Sequence, residues 1–100
     1  MGTKVRPRPM NLMHKLRQIR VDLGLSQTKM IERLGFEDSM HMARISEYEQ
    51  GRREPSLYVL LAYARVAGVH LEQLVDDDLD LPARLPRPRP YRRSIRDIRG

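Results

Sequence analysis

Four glycines, Gly24, Gly35, Gly51 and Gly68, each stand just past a short apolar run at helical spacing, and this punctuation limits the chain to short helices. The two middle intervals are the most informative. Leu25-Ser26-Gln27-Thr28-Lys29-Met30-Ile31-Glu32-Arg33-Leu34-Gly35 reads as a capped helix ended by glycine, and Ile45-Ser46-Glu47-Tyr48-Glu49-Gln50-Gly51-Arg52-Arg53-Glu54-Pro55-Ser56 as a second helix, its stop, and a basic loop leading to a new cap.

The flanks follow the same logic. Asn11 can cap a first helix, in which Leu12, Leu16, Ile19 and Leu23 recur at steps of four, three and four before Gly24. Ser26 is the N-cap candidate for helix 2, with Met30, Ile31 and Leu34 inward. Residues 36–42 hold no clean apolar period, but Asp38 and Ser39 can each cap a helix, and helix 3 then runs to Gln50. Pro55-Ser56 opens helix 4, with Leu57, Leu60, Leu61, Ala64 and Ala67 as its inner stripe, and a short helix 5 centres on Leu71 and Leu74. The expected fold class is all-α, with five helices and no strand.

Three segments are expected: a basic arm over 1–10, a folded domain over 11–78 and a Leu/Pro/Arg-rich tail over 79–100. Arg6-Pro7-Arg8-Pro9 keeps the arm extended, and Pro82, Pro86, Pro88 and Pro90 do the same for the tail. Leu79, Leu81 and Leu85 are more apolar than a free linker requires, so the start of the tail is expected to dock, while Tyr91 to Gly100 is expected to be mobile or ordered by a partner. The formal charge of +6 is uneven: the arm holds +3 and the tail +5, so residues 11–78 hold −2. Attraction to a polyanion must therefore come from local patches and the two ends.

Chemistry other than binding finds little support. There is no cysteine for disulfides or thiolate metal sites, and His14, His41 and His70 show no ligand spacing, so neither metal nor cofactor is expected. No nucleophile–base set or glycine-rich phosphate loop argues for an enzyme. No apolar run approaches the ~18 residues of a membrane span, and no signal peptide opens the sequence, which makes a cytoplasmic protein the expectation.

In order and spacing these residues resemble the Cro and phage-repressor (XRE-type) helix-turn-helix family over about residues 12–75. The resemblance rests on Ile19-Arg20 with Gly24-Leu25-Ser26-Gln27, on Ile45-Ser46 with Tyr48 to Ser56, and on Leu60 to Leu74 with its Ala67-Gly68-Val69-His70-Leu71 ending. It implies a lambda-repressor-like five-helix domain whose third helix reads the major groove, while the start of helix 2 and the loop after helix 3 hold phosphates. In the family pattern the isoleucine follows the glycine by about six residues; here Ile45 follows Gly35 by ten, and the excess is close to one helical turn of ~3.6 residues. Either the turn is longer or helix 3 gains a turn at its N-terminus. The caps Asp38 and Ser39, and the absence of a breaker in Met40-His41-Met42-Ala43-Arg44, favour the longer helix. The chain is more similar to small family members with this lengthened connection and an Asp-rich, Leu-Pro-ending tail than to the phage proteins.

Rotating by about 100° per residue from Ile45 puts His41, Met42, Tyr48 and Glu49 toward the core or its rim, Met40, Ala43, Glu47 and Gln50 on the opposite face, and Arg44 and Ser46 on the flanks. On the outer face Arg44 can donate bidentately to guanine, Gln50 can pair with adenine or hold a phosphate, and Ala43 or Met40 can pack on thymine methyls. Glu47 can accept from a cytosine amino group or simply be an exposed helix former. Gln27, in the first turn of helix 2, with Thr28 and Lys29 beside it, and Arg52 and Arg53 after helix 3, suit phosphate. The resemblance further implies that Arg20 and Glu49 form a partly buried structural ion pair.

The function expected is that of a sequence-specific DNA-binding transcriptional regulator, a bacterial, nucleoid-associated homodimer on double-stranded DNA acting as a repressor. The competing expectation is a protein-interaction adaptor or antitoxin-like partner that grips another protein through the tail, favoured by the acidic core and Glu47. For the tail itself, contact with DNA and a dimer strap that answers Asp76-Asp77-Asp78 of a partner both stand.

Overall fold

The computed structural model describes residues 9–86; the arm residues Lys4, Arg6 and Arg8 and the tail from Arg87 to Gly100 lie outside them. Five helices follow in order: α1 (Leu12–Asp22), α2 (Gln27–Leu34), α3 (Met42–Glu49), α4 (Leu57–Ala67) and α5 (Leu71–Val75). Among the described residues there is no strand. Helix α1 packs on α3, α4 and α5, while α2 packs on α3 and α4, so α3 is held from two sides.

Local chemistry sets the ends. Ser26 and Ser56 take extended backbone and their hydroxyls accept from the Lys29 and Val59 N–H groups at 3.1 and 3.3 Å, filling one orphan donor of α2 and of α4. Gly51 follows α3 at φ +74°, where a side chain is strained, and a Cβ there would also lie 2.5 Å from Met13 Sδ on α1. Glycine at 51 thus ends the helix and lets the basic loop pass close to α1.

The core is built from Leu12, Leu16 and Ile19 of α1, Met30, Ile31 and Leu34 of α2, Ile45 and Tyr48 of α3, Val59, Leu60, Tyr63, Ala64 and Ala67 of α4, and Leu74 of α5, with Val69 between the last two. Large side chains such as Leu16, Ile19 and Ile45 are fully enclosed, each worth ~1.5–3 kcal/mol of burial. In α4 the expected stripe holds at Leu60, Ala64 and Ala67, which are buried, but not at Leu57 or at the half-buried Leu61. Leu57 is 73 % exposed in the first turn, and Val59 and Tyr63 point inward in its place, because Tyr63 is the largest side chain the core encloses.

The connection between α2 and α3 also differs from expectation: the four extra residues lengthen the turn and do not extend the helix. Phe36 and Met40 pack against the core at the two ends of the insertion, and the Ser39 and Met40 N–H groups both donate to the Phe36 carbonyl, at 3.0 and 2.9 Å. A helix continuing through residues 38–41 would give up that closed turn. Asp38 and Ser39 therefore cap nothing. His41, extended at φ −93° and ψ 152°, is the N-cap, and its Nδ1 accepts from the Ala43 N–H at 3.1 Å.

Two features tie the segment after α5 to the start of α1. Lys15, on the α1 face toward α5, is 5 % exposed, and its ammonium donates to the carbonyls of Gln73 (2.8 Å), Asp76 (3.0 Å) and Leu79 (2.7 Å). It closes the C-terminal end of α5, where orphan carbonyls and the helix dipole favour a cation. Asn11 makes no side-chain cap; the Asp77 carboxylate instead accepts from the Met10 and Asn11 N–H groups at 2.8 and 3.0 Å. Beyond them Leu81 is buried and Leu85 packs on the core, whereas Leu79 is exposed.

Candidate nucleic-acid interface

Helices α2 and α3 present one shared surface. Thr28 and Lys29 are exposed in the first turn of α2, and Thr28 meets the N-terminus of α3, its hydroxyl donating to Met42 Sδ at 3.3 Å. Met42 is 47 % exposed there, so it belongs to this surface and not to the core rim. Met40 does the reverse. It lies in the connection, partly buried against the core, which removes it from the outer face of α3. Met40 departs from the helical angle because the chain there is still a turn, whereas Met42 opens α3 and is exposed in its first turn beside Thr28.

Along α3 the side chains are joined to one another. The Glu47 carboxylate bridges two arginines through Oε1, at 2.9 Å from Arg53 Nε and 3.3 Å from Arg44 Nε. The hydrogen bond from Arg53, and the charges of Arg53, Arg44 and Arg52 around it, hold the Glu47 carboxyl below its ordinary pKa. Gln50 Nε2 donates to Ser46 Oγ at 2.8 Å, and Ala43 is exposed in the first turn of the helix. The Arg52 N–H donates to the Glu47 carbonyl at 2.9 Å, which folds the basic loop back against the end of α3. Lys29 pairs with Glu32 at 3.5 Å.

Behind this surface lies a buried ionic joint. Arg20 Nε donates to Glu49 Oε2 at 2.6 Å, a second guanidinium nitrogen donates to Oε1 at 3.0 Å, and a third bond runs to the Leu25 carbonyl at 2.9 Å. The fork is bidentate, and the side chains are only 15 % and 5 % exposed. The Glu49 hydrogen bond raises the Arg20 pKa further above its already high ordinary value. Gln27, half-buried in the first turn of α2, also points its amide at Glu49 Oε1, 3.5 Å away. Through these residues α1, the α1–α2 turn, α2 and α3 share one carboxylate. Tyr63 lies behind it; burial, then the Glu49 charge, raise its pKa, and its hydroxyl is the one buried side-chain polar atom without a partner among the described residues.

Most of these positions were expected from sequence; the surface role of Met42, the cap at His41 and the burial of Lys15 were missed. Lysine three residues after the Leu12 of an apolar stripe was a hint of burial, since i and i+3 share a helix face. Among the described residues no cluster of three or more His, Cys, Asp or Glu can hold a metal, and no helix is long and apolar enough to cross a membrane.

A five-helix domain with α2 and α3 packed together, a capped α2 and a basic loop after α3 defines a helix-turn-helix protein. The family model for helix-turn-helix proteins of the XRE type, HTH_3, matches residues 16–74, and the chain belongs to that family. In its broad class it is a DNA-binding regulator. Among solved structures it is similar to a protein described as the hypothetical transcription factor NHTF from Neisseria, with 24 % identity, a TM-score of 0.55, and 73 % of this chain and 86 % of that chain covered; that likeness establishes the fold. No curated protein matches the sequence.

Proposed function

We propose that the protein is a sequence-specific transcriptional repressor that binds double-stranded DNA as a homodimer in the bacterial cytoplasm, with α3 in the major groove. The observation that carries this is the single exposed surface formed by the first turn of α2, the outer side of α3 and the Arg52-Arg53 loop. Gln27, Thr28, Lys29, Arg52 and Arg53 take the phosphates, where helix N-terminal N–H groups and mobile cations set affinity and register. Arg44 reads guanine; Ala43 and Met42 offer methyl groups to thymine, and Ser46 and Gln50 supply adaptable polar contacts. Arg20 and Glu49 hold α3 at a fixed angle to α1 and touch no base. One eight-residue helix spans few base pairs, which is why two copies on a two-fold site are required. The chain reaches Lys4, Arg6 and Arg8 from Pro9, which lines a groove with Gly51 and Arg53, so the arm starts beside the phosphate-binding loop.

Selection of bound sequences from a random duplex pool, followed by salt titration, tests this reading. A palindromic consensus and a steep fall of affinity with salt are expected. Arg52→Ala or Arg53→Ala should weaken every duplex alike and flatten the salt slope by about one unit, whereas Arg44→Ala should relax one base position at a cost of ~1–3 kcal/mol. A chain that enriches no sequence and binds duplex without salt dependence is an adaptor, with the tail as its grip.

A further inference from the structure

Glu47 is out of keeping with a surface that meets phosphates, yet it is its best-connected side chain. One carboxylate oxygen takes Arg53 of the loop and Arg44 of the reading helix, at 2.9 and 3.3 Å. The three side chains are 32 %, 51 % and 43 % exposed, open enough for a competing anion to exchange with the carboxylate. The two arginines differ in role: Arg53 stands on the loop that faces the backbone of a duplex, and Arg44 on the helix that faces base edges. A carboxylate that holds both occupies the position of a phosphate oxygen.

We infer that Glu47 is an internal phosphate mimic that withholds Arg44 and Arg53 from sequence-independent binding and is displaced only where the bases give Arg44 a better acceptor. The inference rests on the DNA-binding reading above. On random duplex each arginine can gain one phosphate only by losing its share of Glu47, so the exchange of one anion for another yields little. On the right sequence Arg44 gains two directed hydrogen bonds to a guanine edge, and Arg53, with the carboxylate to itself or a phosphate in exchange, loses nothing. Glu47 is then a specificity-determining residue that acts by holding down the wrong complexes.

Glu47→Gln tests this, since glutamine keeps the length and the hydrogen-bond acceptor and removes the charge. Affinity and salt dependence are measured for the full chain on random duplex and on the sequence it selects, with Glu72→Gln, an equal charge change on α5, as control, and melting curves to verify the fold. Only Arg53 stands on the loop that faces the backbone, so one full phosphate contact is counted; it steepens the salt slope by ~0.9 and tightens binding about eight-fold at 0.1 M relative to 1 M salt. Glu47→Gln should therefore bind random duplex roughly 5–10-fold tighter with a steeper slope. The selected sequence should change by less than about two-fold, so the preference for it falls by a similar factor. Glu72→Gln should do neither. An equal gain on both duplexes makes Glu47 a plain repulsive charge and overturns the inference, as does no gain on random duplex. A wild-type chain that binds no duplex at any salt overturns the DNA-binding reading itself, a result separable from either.

Discussion

Replacing Lys15 by methionine removes the ammonium and keeps most of the apolar stem, so the loss measured is that of one cation among three carbonyls. Hydrogen bonds to a charged donor contribute ~1.5–3 kcal/mol each, which for the Gln73, Asp76 and Leu79 carbonyls gives a gross loss of ~4.5–9 kcal/mol. Two terms offset it. Burying an ammonium costs several kcal/mol, which the variant no longer bears. Asp76 and Leu79 are exposed residues whose carbonyls can return to water, leaving Gln73 as the group most exposed to a full penalty. A net destabilisation of ~2–4 kcal/mol remains. At ~4–8 °C per kcal/mol for a domain of this size, the melting temperature should fall by ~10–25 °C in far-ultraviolet circular dichroism. The damage should be local first: the Leu79 amide, bonded to the Asp76 carbonyl at 3.0 Å, should lose hydrogen-exchange protection before the helices do. A fall of less than about 4 °C, under 1 kcal/mol, would show that the carbonyls are as well satisfied by water and refute the reasoning.

Glu49→Ala should cost ~2–4 kcal/mol in chemical denaturation, because it leaves the Arg20 guanidinium inside with only the Leu25 carbonyl; an unchanged midpoint removes the pair as a structural joint. Tyr63→Phe should leave stability within about 1 kcal/mol of the parent or raise it, since the hydroxyl it deletes has no partner, and a larger loss would mean that a buried water bridges it. The Met10 and Asn11 N–H groups lower the pKa of Asp77, so its contribution is complete above the unfolded carboxylate value of ~3.9 and disappears as pH falls through the lower folded value. Asp77→Asn should therefore melt earlier than the parent at pH 7 and converge with it in strong acid; parallel curves across that range would deny the linkage.

The elements that local chemistry controls were legible in the sequence. Ser26 and Ser56 cap as their hydroxyls allow, glycine ends α2 and α4, and Leu16, Ile19, Met30, Ile31 and Ile45 face inward because a 3.6-residue period leaves them no other face. The residues whose roles were not legible depend on what lies across space. Asp38 and Ser39 have good capping chemistry, but Phe36 and Met40 are held by the core and close the turn between them, and that competition is tertiary. Lys15 resembles any surface lysine until three carbonyls from a segment some sixty residues further along meet it. On the candidate interface the residue types were legible, but not the Glu47 bridge, because Arg53 reaches it from a loop whose path no helical period describes.

The lengthened α2–α3 connection has a consequence for how such chains diverge. Its two ends are moored by Phe36 and Met40, and the residues between them are exposed, so α2 and α3 keep their mutual packing whatever length of chain spans the gap. Loop closure is forgiving of length, with each doubling costing only ~0.6 kcal/mol. Insertions and deletions can therefore accumulate at 37–39 almost neutrally while the reading helix stays in register with its neighbours. In lineages of such proteins this interval is free to drift in length, and comparisons that align α3 by counting from Gly35 will misplace its contact residues, whereas counting back from Gly51 will not.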